Sequence, residues 1–292
     1  MTRKSLILPA AIALACLTTG CNKSMPETIP TNDTISVDRP EWDDTITITI
    51  GFGPGAAASR TRASLDDVKM KDLWLFDYVG GSLVQSIHQS STDDGFGSLS
   101  LGVTYGAHTF YVVASGGSDA TTDGTTITWG KPGETFYLSH TADLQPSGAN
   151  SLSMELKRIS TRLRVLVTDE IPADLAQMAI TGTWYYTLDY LTGEASGAQS
   201  ATRSVSVPSS YVGTTGQLSV GFHSLCPVDG YSSDITIAAR RSDESAIKEV
   251  ALSGVAFERN RQTVASGGLS SSTRSISITV DDAWADASNI DW

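Results

Sequence analysis

Cysteine is nearly absent from this chain of 292 residues: there are three, Cys16, Cys21 and Cys226. Two of them stand close to the N-terminus, so Cys226 is alone in the body of the chain. One thiol cannot form an intramolecular bridge, which excludes a disulfide framework and leaves burial to hold the fold. Charge is also scarce: Asp, Glu, Lys and Arg make up 18%, as 20 basic and 32 acidic residues, for a net charge of −12. An acidic balance of that size excludes nucleic acid and anionic lipid surfaces as natural partners. Histidine is limited to four scattered positions, His88, His108, His140 and His223, none in the His-Glu-x-x-His spacing of a zinc site. Long apolar runs are missing too. The longest spans residues 6–17, is interrupted by Pro9, and falls short of the ~18 residues a membrane span needs.

That short run has a specific setting. Arg3 and Lys4 precede it, and Thr18, Thr19 and Gly20 follow it. Positive, apolar and small residues in this order read as a secretory signal over residues 1–20. Leu17-Thr18-Thr19-Gly20-Cys21 has the form of a lipobox, so Cys21 is the expected site of lipidation; the alternative is a plain secretory signal with an incidental cysteine. Stable anchoring takes at least two acyl chains, which an acylated Cys21 would carry. Loss of residues 1–20 removes Arg3 and Lys4 and no acids, leaving 18 basic and 32 acidic residues, net −14. Residues 21–44 are polar and contain Pro26, Pro30 and Pro40, as a tether would.

Beyond the tether, period-2 alternation dominates. Ile46, Ile48, Ile50 and Phe52 share one parity, and Thr45, Thr47 and Thr49 the other. Further strands are expected over 69–79, 98–103, 108–114, 135–138 and 152–156. A second group is expected over 162–168, 179–190, 204–207, 217–222, 234–239, 246–252 and 275–280. Turns such as Gly80-Gly81, Asp94-Gly95 and Asp123-Gly124 separate them. Many short strands with this punctuation mean a sandwich or barrel. A helical pattern is confined to residues 172–178. The fold class is all-β, with a domain break near residues 157–160, giving domains over 45–158 and 159–292.

The residues of catalysis do not assemble. His108 belongs to a strand whose inward residues include Phe110, Val112 and Ala114, so it reads as a buried histidine with a hydrogen-bond partner. His223 near Cys226 suggests a thiol–histidine pair, but the segment reads as a strand end, and Cys226 as a small buried thiol. Gly51-Phe52-Gly53-Pro54-Gly55 lacks the following helix that a phosphate-cradling loop requires. Asp66-Asp67, Asp93-Asp94 and Asp281-Asp282 reproduce no calcium loop. No catalytic residue, metal or cofactor is expected. Trp74, Trp129 and Trp184 read as core or half-core. Trp42, in the tether, and Trp292 need something to cover them.

The segment 44–50, the stretch Gly-Pro-Gly-Ala-Ala-Ala-Ser-Arg60-Thr61-Arg62-Ala63, and Lys71-Asp72-Leu73-Trp74-Leu75-Phe76-Asp77 together resemble the fimbrillins, lipoprotein-derived pilins of type V pili in Gram-negative anaerobes. Residues 152–158 leading into Leu163-Arg164-Val165, and Phe257-Glu258-Arg259-Asn260-Arg261-Gln262-Thr263-Val264, are similar to the same family. The resemblance implies two transthyretin-like (Greek-key) β-sandwich domains in tandem. It also implies a lipid on Cys21 in the cell outer membrane and cleavage by a trypsin-like protease after Arg62, with Arg60 second. Polymerisation would then follow by strand exchange with other fimbrial subunits.

Loss of Ile46, Ile48, Ile50 and Phe52 would bare a groove, and Ile276, Ile278, Val280 and Trp284, within residues 275–292, have the parity to fill it. Asp282 breaks that stripe. The alternative is that both strands pair within their own domains. Two other functions stay open: a lipid-retained fimbrial anchor or accessory subunit, and a surface glycan-binding β-sandwich lipoprotein with a host or bacterial surface ligand.

Overall fold

The computed structural model describes residues 35–36, 42–52, 69–146, 151–269, 277–281 and 290–291. Cys21, Arg60, Arg62, Ile276, Trp284 and Trp292 lie outside them. The strands of the first half are β1 (Ile35–Ser36), β2 (Asp44–Phe52), β3 (Asp72–Val79), β4 (Ser82–Ser90), β5 (Ser98–Val103), β6 (Gly106–Ser115), β7 (Ser118–Asp123), β8 (Thr126–Lys131), β9 (Thr135–Leu144) and β10 (Ser151–Arg158). Those of the second are β11 (Ser160–Val167), β12 (Gln177–Asp189), β13 (Glu194–Ser206), β14 (Ser219–Leu225), β15 (Tyr231–Arg240), β16 (Ala246–Phe257), β17 (Gln262–Gly267), β18 (Ser277–Asp281) and β19 (Ile290–Asp291). Among the described residues the only helical element is a 3-10 turn at Ser209–Tyr211. The chain is all-β.

The first sheet runs β1-β4-β3-β6-β9-β10-β2-β5. β10 turns its corner. Lys157 and Arg158 pair with Tyr137 and Phe136 of β9, whereas Ser151 to Leu156 run parallel to Thr47–Phe52 of β2. The sheet thereby folds into two layers, β4-β3-β6-β9 over β10-β2-β5. Ile46, Ile48, Leu99, Leu101, Met154 and Leu156 of one layer pack against Leu73, Leu75, Phe110, Val112 and Phe136 of the other. The second sheet runs β16-β15-β12-β14-β11-β17-β18, with β13 paired along β12. β12 meets β14 only at Tyr185–Leu225, and this opening folds the sheet around a second core of Leu163, Val165, Trp184, Phe222, Ile237 and Phe257. This is the tandem β-sandwich that the resemblance implied, where the alternation by itself called for a sandwich or barrel.

β3 is buried on both faces. Leu73 and Leu75 enter the first core, while Trp74 and Phe76 enter a third cluster with Trp129, Ile159, Leu188, Tyr190 and Leu225. The hairpin β7–β8 carries Ile127 and Trp129 into that cluster and pairs with β12 through Thr126, Ile127 and Thr128. Residues 118–131 of the first half therefore extend the second sheet. Arg158 joins the halves as well: it is ion-paired with Glu134 and donates to Asn260 Oδ1 at 2.8 Å. Arg259 donates to the carbonyls of Cys226 and Gly193, both at 2.7 Å. The 257–264 segment singled out in the sequence thus closes the junction between the sandwiches.

Two expectations need correction. Residues 172–178 form turns and the start of β12, with a single turn bond from Leu175 N to Pro172 O. The backbone of Ala176 bonds Arg240 O and Val207 N instead, so pairing on both sides overrides the local helical pattern. Strands β4, β7, β8, β17 and most of β13 did not stand out as alternating runs. In β4 the inward positions include Gln85 and Gln89, which break an apolar stripe although both are buried.

Candidate strand-exchange site

β2 holds the central lane of its layer. β5 pairs with it antiparallel from Asp44–Val103 to Thr49–Ser98, and β10 pairs with it parallel from Thr47 to Phe52. Ile46, Ile48, Ile50 and Phe52 are 3%, 0%, 6% and 1% exposed, while Thr45, Thr47 and Thr49 face solvent. The parity read from the sequence is therefore the one in the fold. Phe52 packs on Phe136 with ring centroids 4.4 Å apart. At about 1.5–3 kcal/mol for each buried side chain, the four contribute roughly 6–12 kcal/mol. That is comparable with the whole stability of a domain, ~5–15 kcal/mol. Removing β2 would bare the free edges of β5 and β10 together with the core beneath.

The start of β2 is fixed to β5. Asp43 N donates to Val103 O at 2.8 Å, and Asp43 Oδ2 accepts from Tyr105 N at 2.8 Å. The indole of Trp42 packs against Gly102; a Cβ there would sit 2.5 Å from Trp42 Cγ. Trp42, unexplained as a tether residue, finds its cover here, and only glycine leaves room for it. Near the start of β2 lies a cavity of about 240 Å³ whose mixed lining includes Ile46, Val103, Leu144 and Leu152 with Asp44, Asp143 and Gln145.

The flank of the sandwich is closed by buried polar groups. Gln85 Nε2 donates to Asp77 Oδ2 at 3.0 Å and to Gly102 O at 2.7 Å, bridging β4 to β5. Gln89 donates to Ser98 O at 3.2 Å and accepts from Gly97 N at 3.0 Å. His108 Nδ1 lies 2.7 Å from Asp77 Oδ1, and its Nε2 lies 2.9 Å from Thr104 O. Burial opposes the charged imidazole, but the Asp77 hydrogen bond and charge and the Thr104 carbonyl outweigh it, so the His108 pKa is raised. His108 is thus the partnered core histidine expected from its strand. The glutamines escaped a hydropathy reading because their burial depends on partners across the layers.

At the other end of the chain, β18 is an edge strand paired antiparallel with β17, Ile278 opposite Ala265 and Val280 opposite Thr263. Ile278 and Val280 are 38% and 39% exposed. Two of the four proposed donor residues are therefore apolar side chains left in water on a sheet edge. The structure does not bring them to β2 of the same chain. Elsewhere, Trp74, Trp129 and Trp184 are core residues at 4%, 1% and 0% exposure. Burial pushes the Cys226 thiol up to about 12, as a structural thiol. Among the described residues no cluster of three or more His, Cys, Asp or Glu could hold a metal ion.

These features define a tandem β-sandwich protein whose distinctive elements are a core strand near the N-terminus and an apolar edge strand near the C-terminus. The fold recurs in a candidate polysaccharide-binding protein (DUF1812) of Bacteroides thetaiotaomicron, with a TM-score of 0.53 and 9% identity over 82% of this chain and 96% of that one. It recurs in a candidate adhesin of the same species, with TM-score 0.52 and 12% identity over 82% and 96%. A candidate cell adhesion protein of Bacteroides ovatus is similar too, with TM-score 0.51 and 11% identity over 85% and 100%. At such identities the likeness is one of fold, and it agrees with the fold that the fimbrillin resemblance implies. In sequence, the chain belongs to a family of unknown function, DUF6562, whose model matches residues 131–291. No curated protein matches it in sequence.

Proposed function

We propose that the chain is a structural or adhesive subunit of a cell-surface fimbrium. It is exported as a lipoprotein on Cys21, cut after Arg62 (or Arg60), and polymerised when residues 275–292 of one copy replace β2 of another. The observation that carries this reading is the position of β2: the central lane of its layer, with four side chains in the core, immediately ahead of the Arg60–Arg62 stretch. A strand in that position cannot be lost without a replacement, because the edges and core beneath it would be left in water. The replacement needs alternate apolar side chains, and Ile276, Ile278, Val280 and Trp284 supply them. The adhesin-like names among proteins of this fold are in keeping with a surface role.

A second reading is a lipid-retained anchor or accessory subunit. It is favoured by the complete integration of β2 in the uncut chain, held by β5, β10 and the Trp42–Gly102 contact. N-terminal sequencing of protein shed from the cell surface separates the two. A polymerising subunit begins at Ala63, whereas an anchor keeps an acylated Cys21. If Cys21→Ser protein still partitions into detergent like the wild type, the lipid anchor is wrong in both readings.

A further inference from the structure

Loss of β2 creates a difficulty for the strand on its flank. Among the described residues β5 has a backbone ladder with β2 alone, so it loses that ladder when β2 leaves. β2 is antiparallel to β5 and parallel to β10, which makes β5 and β10 antiparallel to each other. With β2 gone they stand two interstrand spacings apart, roughly 10 Å. If β5 slid across to pair with β10, it would cover the bared core, and no lane would remain for a second copy. Leu99, Leu101 and Val103 are buried, but apolar burial is non-directional and does not fix a lane.

Hydrogen bonds do fix a lane, because they constrain distance and angle. Three side chains of the facing layer hold the backbone of residues 97–104, and none belongs to the segment that is lost. At the start of β5, Gln89 Nε2 donates to Ser98 O at 3.2 Å, and Gly97 N donates to Gln89 Oε1 at 3.0 Å. At its end, Gln85 Nε2 donates to Gly102 O at 2.7 Å, and His108 Nε2 donates to Thr104 O at 2.9 Å. Asp77 braces the last two: its Oδ2 accepts from Gln85 at 3.0 Å, and its Oδ1 lies 2.7 Å from His108 Nδ1. All four side chains are buried. They stand on β3, β4 and β6, whose mutual ladders do not involve β2. Sliding β5 would break every one of these bonds and leave buried polar groups without partners, which is costly.

We propose that Gln85, Gln89 and His108, with Asp77 behind two of them, are positioning residues for strand exchange: they hold β5 in its own lane while the groove is empty, and so keep the groove open until the strand of a second copy arrives. In the uncut chain β2 already holds β5, so the network matters most in the empty state. This accounts for two glutamines among the inward positions of β4, where apolar side chains would fill the space but leave β5 free to slide. The inference rests on the strand-exchange reading and adds what preserves the groove between the loss of one strand and the gain of the next.

The test times the empty groove. Full-length protein in detergent is cut with trypsin in the loop after β2 and diluted until the N-terminal fragment dissociates. A fluorescent peptide of residues 42–52 is added after increasing delays, and anisotropy reports the fraction of grooves still receptive. The double variant Gln85→Met, Gln89→Met removes both amides at similar volume. Gln89→Met alone leaves Asp77 and His108 untouched and serves where the double variant does not fold, as judged by melting of the uncut chain. Val165→Ala, in the second core, controls for lost stability alone. Receptivity should vanish roughly tenfold sooner or more in the double variant, the factor expected for a lost buried hydrogen bond. Gln89→Met should be intermediate, and Val165→Ala should follow the wild type. A wild-type time course in the folded glutamine variants, or an equally early loss in Val165→Ala, overturns the positioning role while leaving strand exchange standing. Cut wild-type protein that never takes back its own β2 peptide overturns both.

Discussion

The energetic weight of β2 can be tested at Ile48, which is fully buried, lies opposite Leu152 on one side and Leu99 on the other, and sits at the middle of the strand. Truncation of a buried isoleucine to alanine costs about 2–5 kcal/mol, through lost transfer energy and the cavity left behind. In the uncut chain that loss appears as global destabilisation. After the loop is cut, β2 is held only by its non-covalent contacts, and the same loss appears in its dissociation constant. At ~1.4 kcal/mol per factor of ten, Ile48→Ala should weaken retention of the N-terminal fragment by roughly thirtyfold to several thousandfold. Thr47→Ala, on the exposed face, should change it by less than about threefold, since surface substitutions stay within roughly 0.5 kcal/mol. The assay cuts the purified protein at the Arg60–Arg62 stretch, dilutes it over a concentration series, and measures the fragment retained on gel filtration. Equal retention by Ile48→Ala and wild type would refute the idea that β2 is held by its inward side chains.

Gly102→Val should push its side chain into the Trp42 indole, costing about 1–3 kcal/mol as an overpacked contact; loss of the effect in a Trp42→Ala background, read by urea unfolding, checks that the two residues act together. His108 has a raised pKa in the folded state, so the stability it contributes is fully present below its unfolded value of ~6.5 and is lost as pH rises through the folded value. Melting temperature against pH should show that decline in the wild type and not in His108→Gln; a decline of the same size in both would remove His108 as its source. Ile278→Asp should leave the monomer's stability nearly unchanged, because the residue is 38% exposed on an edge strand, yet block polymer formation after loop cleavage. Ser277→Asp should polymerise normally, and polymerisation of both variants would exclude this strand as donor.

Much of this architecture is legible in the order of residues. Ile46, Ile48, Ile50 and Phe52 alternate with threonine, and a strand with one apolar face must bury that face whatever its partners are, so parity alone sends these four inward. The same holds for Phe110, Val112 and Ala114, and for the solitary Cys226, which with no second thiol in the body of the chain had burial as its ordinary fate. Parity contains nothing about neighbours. That β2 takes the central lane between β5 and β10, parallel to a strand about a hundred residues later, is decided by which edges are left once the other strands have paired. Gln85 and Gln89 look like surface residues until Gly102, Asp77 and Ser98 are brought from other strands to satisfy their amides. Residues 172–178 have a helical pattern that pairing with Arg240 and Val207 overrules. The β7–β8 hairpin, polar enough to pass for a loop, becomes part of the second sheet because Ile127 and Trp129 find Leu188 and Tyr190 there. Alternation is a property of adjacent residues and survives in the sequence; lane, register and the satisfaction of buried polar groups are properties of pairs far apart, and exist only when the chain has folded.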